Sequence, residues 1–525
     1  MMYESLKTRL QQIADSGRAA CLSESLIGLE KECLRVAENG SISQTPHPPA
    51  LGSPLTHPCI TTDFSEALLE LITPPCKSVK EALNYLDDIH KFVYSKLDNE
   101  ILWATSMPCV VRGDGGIPIA QYGSSNVGTM KTVYRRGLGR RYGQTMQVIA
   151  GIHFNYSVAD SFWDLYQAME KSTLSRQTFI SEQYMGLVRN MLRYGWMIPC
   201  LFGASPAVCK SFLQDKPAML AEFDESTLYE PYATSLRMGD IGYTNSQEDM
   251  AGIKADYSSL DNYIKSLQCA IATPFASYEE MGVKVNGEYQ QLNANILQIE
   301  NEYYSTVRPK QITQKDEKPT TALRKRGIAY VEIRSIDVNA FDPLGINEEQ
   351  LYFLEIFVLF CLLQESPALS EMEMNEVDMN LIQVAHAGRQ PGLTLSRHDQ
   401  SVPLRDWALE LCEGMREVAR LLDEVNHCEA YSKSLHAQIE SINDLSLTSS
   451  ARMLDEMRKN GEGFFHFAQR KSLQYQDYFE ARKLPAERQQ FFESMSRESL
   501  AHQQEIEAAD ILSFDDYLQQ YFARS

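Results

Sequence analysis

Two short segments, three hundred residues apart, set charge at every second position: Gly28-Leu29-Glu30-Lys31-Glu32 and Tyr330-Val331-Glu332-Ile333-Arg334. Side chains alternate across a strand, so Glu30 and Glu32 share one face, and so do Glu332 and Arg334. Leu29, Val331 and Ile333 take the opposite faces. Two carboxylates held side by side repel each other unless a cation sits between them. An arginine fixed beside a third acid implies that an anion is brought to that cation. These residue types at this spacing suit metal-assisted phosphoryl or acyl chemistry.

Other polar residues could join them. In Thr61–Glu70, Asp63 followed by Glu66 fits a helix capping box, which accounts for Glu66. On that helix Asp63 and Glu70 would share a face. Glu70 lies among Leu68, Leu69, Leu71 and Ile72, where an acid is costly to bury unless paired or ligated. By spacing alone it reads as a structural or solvated acid. The strand expected over 146–155 puts Gln147, Gly151, His153 and Asn155 on one face, with Val148, Ile152 and Phe154 toward the core. Imidazole among carboxylates suits Mg²⁺ tolerably and Mn²⁺ well. Lys131, Tyr134, Arg135, Arg136, Arg140 and Arg141 form a basic cluster, read either as phosphate contacts or as a solvated helix face. The polar loop Pro231–Arg237 leads on to Gly242-Tyr243-Thr244-Asn245. Over Leu297–Tyr304 the alternation predicts a strand with Gln298, Glu300, Glu302 and Tyr304 on an exposed sheet surface.

The elements that must position these groups differ along the chain. From about Leu26 to Ser335 strands and helices are mixed. Asn286-Gly287, between Val283-Lys284-Val285 and Glu288–Leu292, signals a hairpin and antiparallel pairing. After Pro343 helical spacing dominates, over Glu348–Gln364, Arg405–Asn426 and Phe479–Ala509. These helices are expected to pack outside a catalytic sheet, with Met372, Met374 and Met379 as ordinary packing. No Gly-rich phosphate loop occurs, so a nucleotide would be held some other way.

The composition sets limits on partners. With 525 residues and a formal net charge of −21, the chain is a poor partner for nucleic acid or an anionic membrane. An anionic substrate must therefore be held by local arginines or metal. The 11 cysteines include no Cys-x-x-Cys pair, a pattern that fits reduced thiols better than a disulfide framework or zinc site. The N-terminal segment reads as an amphipathic helix with no apolar secretory core, and Ile356–Leu363 is too short to span a bilayer. A cytoplasmic protein is expected.

Taken together, these segments resemble the glutamate–cysteine ligases of the gamma-proteobacterial type. The resemblance runs in order through 28–36 (GLEKECLRV), 51–57 (LGSPLTH), 60–64 (ITTDF), 121–123 (QYG), 201–206 (LFGASP), 231–237 (PYATSLR) and 331–335 (VEIRS). After about Leu395 only the helical texture and Glu505–Asp510 look familiar.

The resemblance implies an α+β fold similar to glutamine synthetase's catalytic domain. A curved, mainly antiparallel sheet would line a funnel, with residues 1–345 catalytic and 346–525 a mainly helical region packed on that core. It implies Glu30, Glu32, Asp63, Glu70, His153 and Glu332 as ligands of two or three Mg²⁺ ions around the ATP phosphates, overturning the isolated reading of Glu70. Arg334 and Arg237 would grip the γ-carboxylate or phosphoryl oxygens and a substrate α-carboxylate. Gln147 and Asn155 would contact glutamate, while Phe64, Tyr134, Tyr243 and Tyr304 frame a cysteine pocket. Arg135 is the expected phosphate contact. A monomer inhibited by glutathione in competition with glutamate is expected. The rivals are a γ-glutamyl ligase with another amine acceptor and a non-catalytic scaffold relative.

Overall fold

The computed structural model describes residues 3–213, 219–242 and 254–524. Its centre is a seven-stranded sheet: β1 (Leu26–Ala37), β2 (Ile60–Thr62), β3 (Leu68–Ile72), β4 (Glu100–Leu102), β5 (Gly151–Ser157), β6 (Val307–Lys310) and β7 (Tyr330–Asp337). The order is β6-β7-β5-β1-β3-β2, with β4 on the far end of β1, and every pairing is antiparallel. β1 and β7 lie near the middle, on either side of β5. The chain's two charged segments are thereby one strand apart.

One face of the sheet is apolar. Leu29, Cys33, Ile152, Phe154, Val331 and Ile333 are buried, and helix Val79–Tyr94 packs behind β1 and β3. Lys31 also points to this side, where its Nζ lies 2.9 Å from His90 Nε2. Helix Glu348–Leu363 is apolar on all sides and buried along nearly its whole length, because further helices cover it. It packs on helices Arg176–Tyr194, Leu404–Asn426 and Ala430–Asn443. Its N-terminus carries a full capping box, Asn347 with Gln350.

Several expectations need correcting. The long helix read over 479–509 is two, Phe464–Glu480 and Ala486–Ala509, with Pro485 at the N-cap of the second. Met372 and Met379 are exposed and so are not core packing. Cys109 and Cys209 form a disulfide, their Cα atoms 5.5 Å apart although 100 residues separate them in the chain. Nine other cysteines are free. The Asn286-Gly287 hairpin is present, joining Lys284–Val285 to Glu288–Tyr289. Among the described residues no helix is long and apolar enough to cross a membrane.

Candidate active site

The polar face of the sheet opens into a cavity whose floor is written by strand register. Glu30 stands opposite His153, Glu32 opposite Glu70, and Glu332 opposite Asn155. Neighbouring strands thus bring groups distant in sequence to adjacent places on one face. A β-bulge between Ile333 and Ile336 interrupts the β7–β5 pairing at Arg334. A bulge twists the strand locally and re-aims its side chain. Arg334 Nη1 accordingly reaches Glu332 Oε1 (2.5 Å) and stands 3.4 Å from His153 Nδ1.

The contacts around the imidazole are dense. His153 Nδ1 is 3.0 Å from Glu30 Oε2 and 3.4 Å from Glu332 Oε1, and its Nε2 is 3.7 Å from Glu32 Oε1. Asn155 Nδ2 donates to Glu30 Oε1 (2.8 Å), and the backbone N–H of Gly151 donates to Glu32 Oε2 (2.5 Å). Gly151 is required for a second reason. A Cβ there would lie 2.0 Å from Arg237 Nη2, so the missing side chain makes room for that guanidinium. Ligand atoms of Glu30, His153 and Glu332 all lie within 4.8 Å of one another.

The two ends of this cluster differ electrostatically. Burial pushes the Glu70 carboxyl well above its ordinary value, and Glu30, Asp63 and Glu32 push it further. Burial likewise raises Glu32, against the pull of His153. At Glu332 burial also acts upward, but Lys310, Arg334 and His153 outweigh it and hold the carboxyl well below the usual range. At Glu30 burial again acts upward, but the hydrogen bond and charge of His153 together with Lys310 outweigh it, and the net direction is down. The ionised forms of Glu32 and Glu70 are therefore not stabilised by the protein's own cations, and a bound cation would supply what is missing. Oxygen-rich acids with one imidazole and a surplus of negative charge are a donor set that fits Mg²⁺ or Mn²⁺.

Twelve of the proposed site residues line this cavity: Glu30, Glu32, Asp63, Phe64, Glu70, Tyr134, Arg135, Gln147, His153, Tyr304, Glu332 and Arg334. Two stand behind its wall. Asn155 holds Glu30, as described, and its own Oδ1 is buried without a hydrogen-bond partner. Arg237 is buried, donating from Nη2 to the Arg334 carbonyl (2.8 Å) with Nη1 3.6 Å from Asp337. Tyr243 lies outside the described residues.

Some members arrive by routes the spacing did not show. Asp63 and Glu70 meet through the β2–β3 hairpin, not along a helix; Thr61 pairs with Glu70 there. Leu68, Leu69, Leu71 and Ile72 pack as a strand against β1, and this tertiary pairing overrides the capping-box signal. Glu66 sits in the turn, where its carboxylate accepts from the backbone of His47 and Gln121 (both 2.5 Å). Gln147 lies in the short helical turn Thr145–Val148, since the strand begins only at Gly151. Leu297–Tyr304 is no exposed strand either. Glu300 and Glu302 form a buried turn, accepting from Thr320 (2.7 Å) and Arg141 (2.9 Å).

Of the basic cluster, Arg135 faces the cavity; its Nε donates to the Asp63 carbonyl and its guanidinium lies 4.6 Å from the centre of the Tyr122 ring. Arg141 is a buried structural partner of Glu302 and Gln291, and Arg140 is exposed. The sequence reading missed Arg308 and Lys310, which also line the cavity. Lys310 Nζ lies 2.7 Å from Glu332 Oε2. A signal existed: Val307-Arg308-Pro309-Lys310 places base at every second position, as the opening segments place acid.

A carboxylate cluster with one imidazole, ringed by fixed cations and set on an antiparallel sheet, is the site of an enzyme that handles anionic substrates. The sequence profile of the glutamate-cysteine ligase family matches residues 10–384. The chain is 46% identical to the glutamate–cysteine ligase of Alcanivorax borkumensis, covering 98% of this chain and 99% of that one. It is 48% identical to that of Pseudomonas aeruginosa, covering 99% and 98%. Among solved structures, the Francisella tularensis glutamate–cysteine ligase in complex with AMP superposes with a TM-score of 0.89 at 36% identity, covering 95% of this chain and 97% of that one. A bifunctional glutathione synthetase from Pasteurella multocida shares the fold, with a TM-score of 0.72 at 23% identity, over 94% of this chain and 58% of that one. The chain belongs to the glutamate–cysteine ligase family.

Proposed function

We propose that the enzyme joins the γ-carboxylate of L-glutamate to the amino group of L-cysteine, with ATP converted to ADP and phosphate. The product is γ-glutamylcysteine, the first intermediate of glutathione synthesis. The near full-length kinship with glutamate–cysteine ligases supports these substrates, and the carboxylate cluster with Arg334 at its edge supports the chemistry.

A carboxylate is a poor nucleophile toward a triphosphate because both are anions. Glu30, Glu32, Asp63, Glu70, His153 and Glu332 would hold two or three Mg²⁺ ions, with Mn²⁺ tolerated, which would neutralise the phosphate charge during transfer. The protein's own cations do the rest. Arg334 presents a planar fork beside Glu332, suited to the γ-carboxylate and then to the phosphoryl oxygens. Arg135, Arg308 and Lys310 ring the same cavity and would hold the triphosphate. A second cavity continues from Asn301, Arg308 and Lys310 and is bounded by Tyr263, Leu267, Ile312, Leu323 and Tyr330. Its apolar walls suit the nucleotide base. Transfer to the glutamate γ-carboxylate gives γ-glutamyl phosphate and ADP. The neutral cysteine amine then attacks the acyl carbon and phosphate leaves, with the amine proton lost to solvent.

Arg237 would support the substrate α-carboxylate through Arg334, while Gln147 and Asn155 would serve the glutamate. Phe64, Tyr134, Tyr243 and Tyr304 would frame the thiol pocket. On this reading, residues 1–345 form the catalytic region and 346–525 its helical support. The enzyme acts as a cytoplasmic monomer, and glutathione inhibits it in competition with glutamate.

The test is ATP-dependent phosphate release with glutamate, with and without cysteine, followed by product analysis over a panel of amines. Cysteine should give the highest kcat/KM. A pocket that measures a thiol against a methyl supplies only about 1–3 kcal/mol, so 2-aminobutyrate should be accepted within about a thousandfold. A higher kcat/KM for an unrelated amine would overturn the acceptor assignment.

A further inference from the structure

The wall behind the carboxylate cluster includes a segment, residues 230–242, that contributes no strand to the main sheet. Its short turn Leu236–Met238 presses on two residues that line the cavity. Arg237 Nη2 donates to the Arg334 carbonyl (2.8 Å), and the Tyr304 hydroxyl donates to Met238 Sδ (3.5 Å). A shift of this segment would therefore move both Arg334 and Tyr304.

The segment is held by the C-terminal end of one helix, Glu371–Ala387. The N–H groups of Thr234 and Ser235 donate to the Ala385 carbonyl (2.9 and 3.1 Å), and Thr234 Oγ1 donates to the Val384 carbonyl (2.9 Å). Just beyond the helix, Arg389 donates to the carbonyls of Pro231 and Ala233. The last helical turn carries His386. Its Nδ1 lies 2.9 Å from Glu230 Oε2 and its Nε2 lies 3.1 Å from Asp240 Oδ1. One ring thus joins the start of the segment to its end. The ring lies so close on the backbone that a Cβ at Gly239 would stand 2.5 Å from Nε2. The backbone N–H of Asp240 also lies 3.3 Å from Nε2, where a neutral ring accepts, but only a ring with hydrogen on both nitrogens donates to both carboxylates. A cation is also favoured at a helix C-terminus.

We propose that His386, as an imidazolium, is a positioning residue: it clamps the 230–242 segment closed behind the site and so fixes Arg334 and Tyr304. This rests on the reading of Arg334 and Tyr304 as the amino-acid end of the cavity. Among the described residues, the charged groups facing the ring are Glu230 and Asp240, one from each end of the segment, with Arg389 bonded to the segment's Pro231 and Ala233 carbonyls. The hydrogen bond that the ring donates to Glu230 lifts the imidazole above its ordinary value, outweighing burial, with both acids' charges acting the same way. The clamp is thus closed in the acidic part of the working range and loosens as the ring loses its proton.

The test compares steady-state kinetics of the wild type, His386→Ala, His386→Gln and Asp240→Asn, each with glutamate and ATP varied separately across pH. His386→Ala should raise the glutamate KM about tenfold, leave the ATP KM within about twofold, and abolish the part of the wild type's glutamate-KM pH dependence that comes from the ring. His386→Gln, which keeps one hydrogen bond without charge, should recover part of the affinity but none of that pH dependence. Asp240 is exposed, so Asp240→Asn keeps the test available should His386→Ala fold poorly; it should move the pH dependence to lower pH. Parallel loss of ATP and glutamate affinity, or a pH profile unchanged in both His386→Ala and Asp240→Asn, would overturn the clamp. If Arg334→Lys is itself unimpaired, the reading of the site falls instead. If Arg334→Lys is impaired while the His386 and Asp240 variants behave as wild type, only the clamp falls.

Discussion

Glu332→Gln separates electrostatic from structural roles at the centre of the site. Ligand atoms of Glu30 and Glu332 lie within 4.8 Å. Two unit charges at that distance repel by about 3.5 kcal/mol at an effective dielectric near 20. Glutamine keeps the size and an acceptor oxygen for Arg334 Nη1 but removes the charge. Without metal, two consequences oppose each other: repulsion from Glu30 is relieved, while pairing with Lys310 (2.7 Å) and Arg334 (2.5 Å) weakens. The cations outweigh the opposing effects at Glu332, so the metal-free variant should melt below the wild type, by up to about 2 °C. With metal the balance changes. Mg²⁺ at about one hundred times its Kd stabilises a protein that binds it only when folded by about 2.7 kcal/mol. For a chain of 525 residues, with an unfolding entropy of about 2.1 cal/mol/K per residue, that raises Tm by about 2–3 °C. Calorimetry with and without Mg²⁺, in the absence of nucleotide, should show this rise in the wild type and less than half of it in the variant. Phosphate release should fall at least about a hundredfold. A full Mg²⁺-dependent rise together with turnover above about a tenth of the wild type would remove Glu332 from the metal set and refute the electrostatic argument.

Arg334→Lys keeps the charge and loses the fork, so kcat should fall about a hundredfold while the ATP KM changes less than about threefold; near-normal kcat would discount its bidentate role. Lys310→Met should raise the ATP KM about tenfold with the glutamate KM little changed, and an effect confined to glutamate would place Lys310 at the wrong end of the cavity. Burial lifts the Glu355 carboxyl from 4.5 to about 7, against the hydrogen bond from the Tyr431 hydroxyl (3.0 Å). The folded state thus holds that proton more tightly than the unfolded one. The stability this confers is fully present below the unfolded value and is lost as pH rises through about 7. Glu355→Gln should accordingly melt close to the wild type at low pH and above it at high pH, by up to about 3 kcal/mol of relative stability. A Tm difference that does not grow with pH would refute this.

Much of the site was legible because strand alternation is a local rule. Glu30 with Glu32 and Glu332 with Arg334 do share a face, and Leu29, Val331 and Ile333 do lie behind them. The hairpin at Asn286-Gly287 and the helices near 348–363 and 404–426 were readable for the same reason, since turn chemistry and helical periodicity act over a few residues. Where competing local signals met tertiary pairing, the local reading failed. Asp63 and Glu66 spell a helix start, yet the following Leu68–Ile72 gains more by completing the sheet beside β1. The acids at 300 and 302 alternate like a strand face, yet each is consumed by a buried partner far away in the chain.

The types of group that do the chemistry, and the face each shares with its immediate neighbours, were therefore present in the linear chain. Which groups meet was not. The pairing of Glu30 with His153 and of Glu32 with Glu70, the bulge that turns Arg334 inward, and the recruitment of Lys310 to Glu332 all depend on the register of strands remote in sequence. Register is set by the packing of the whole apolar face, and a slip of one residue would turn every one of these side chains away from the cavity.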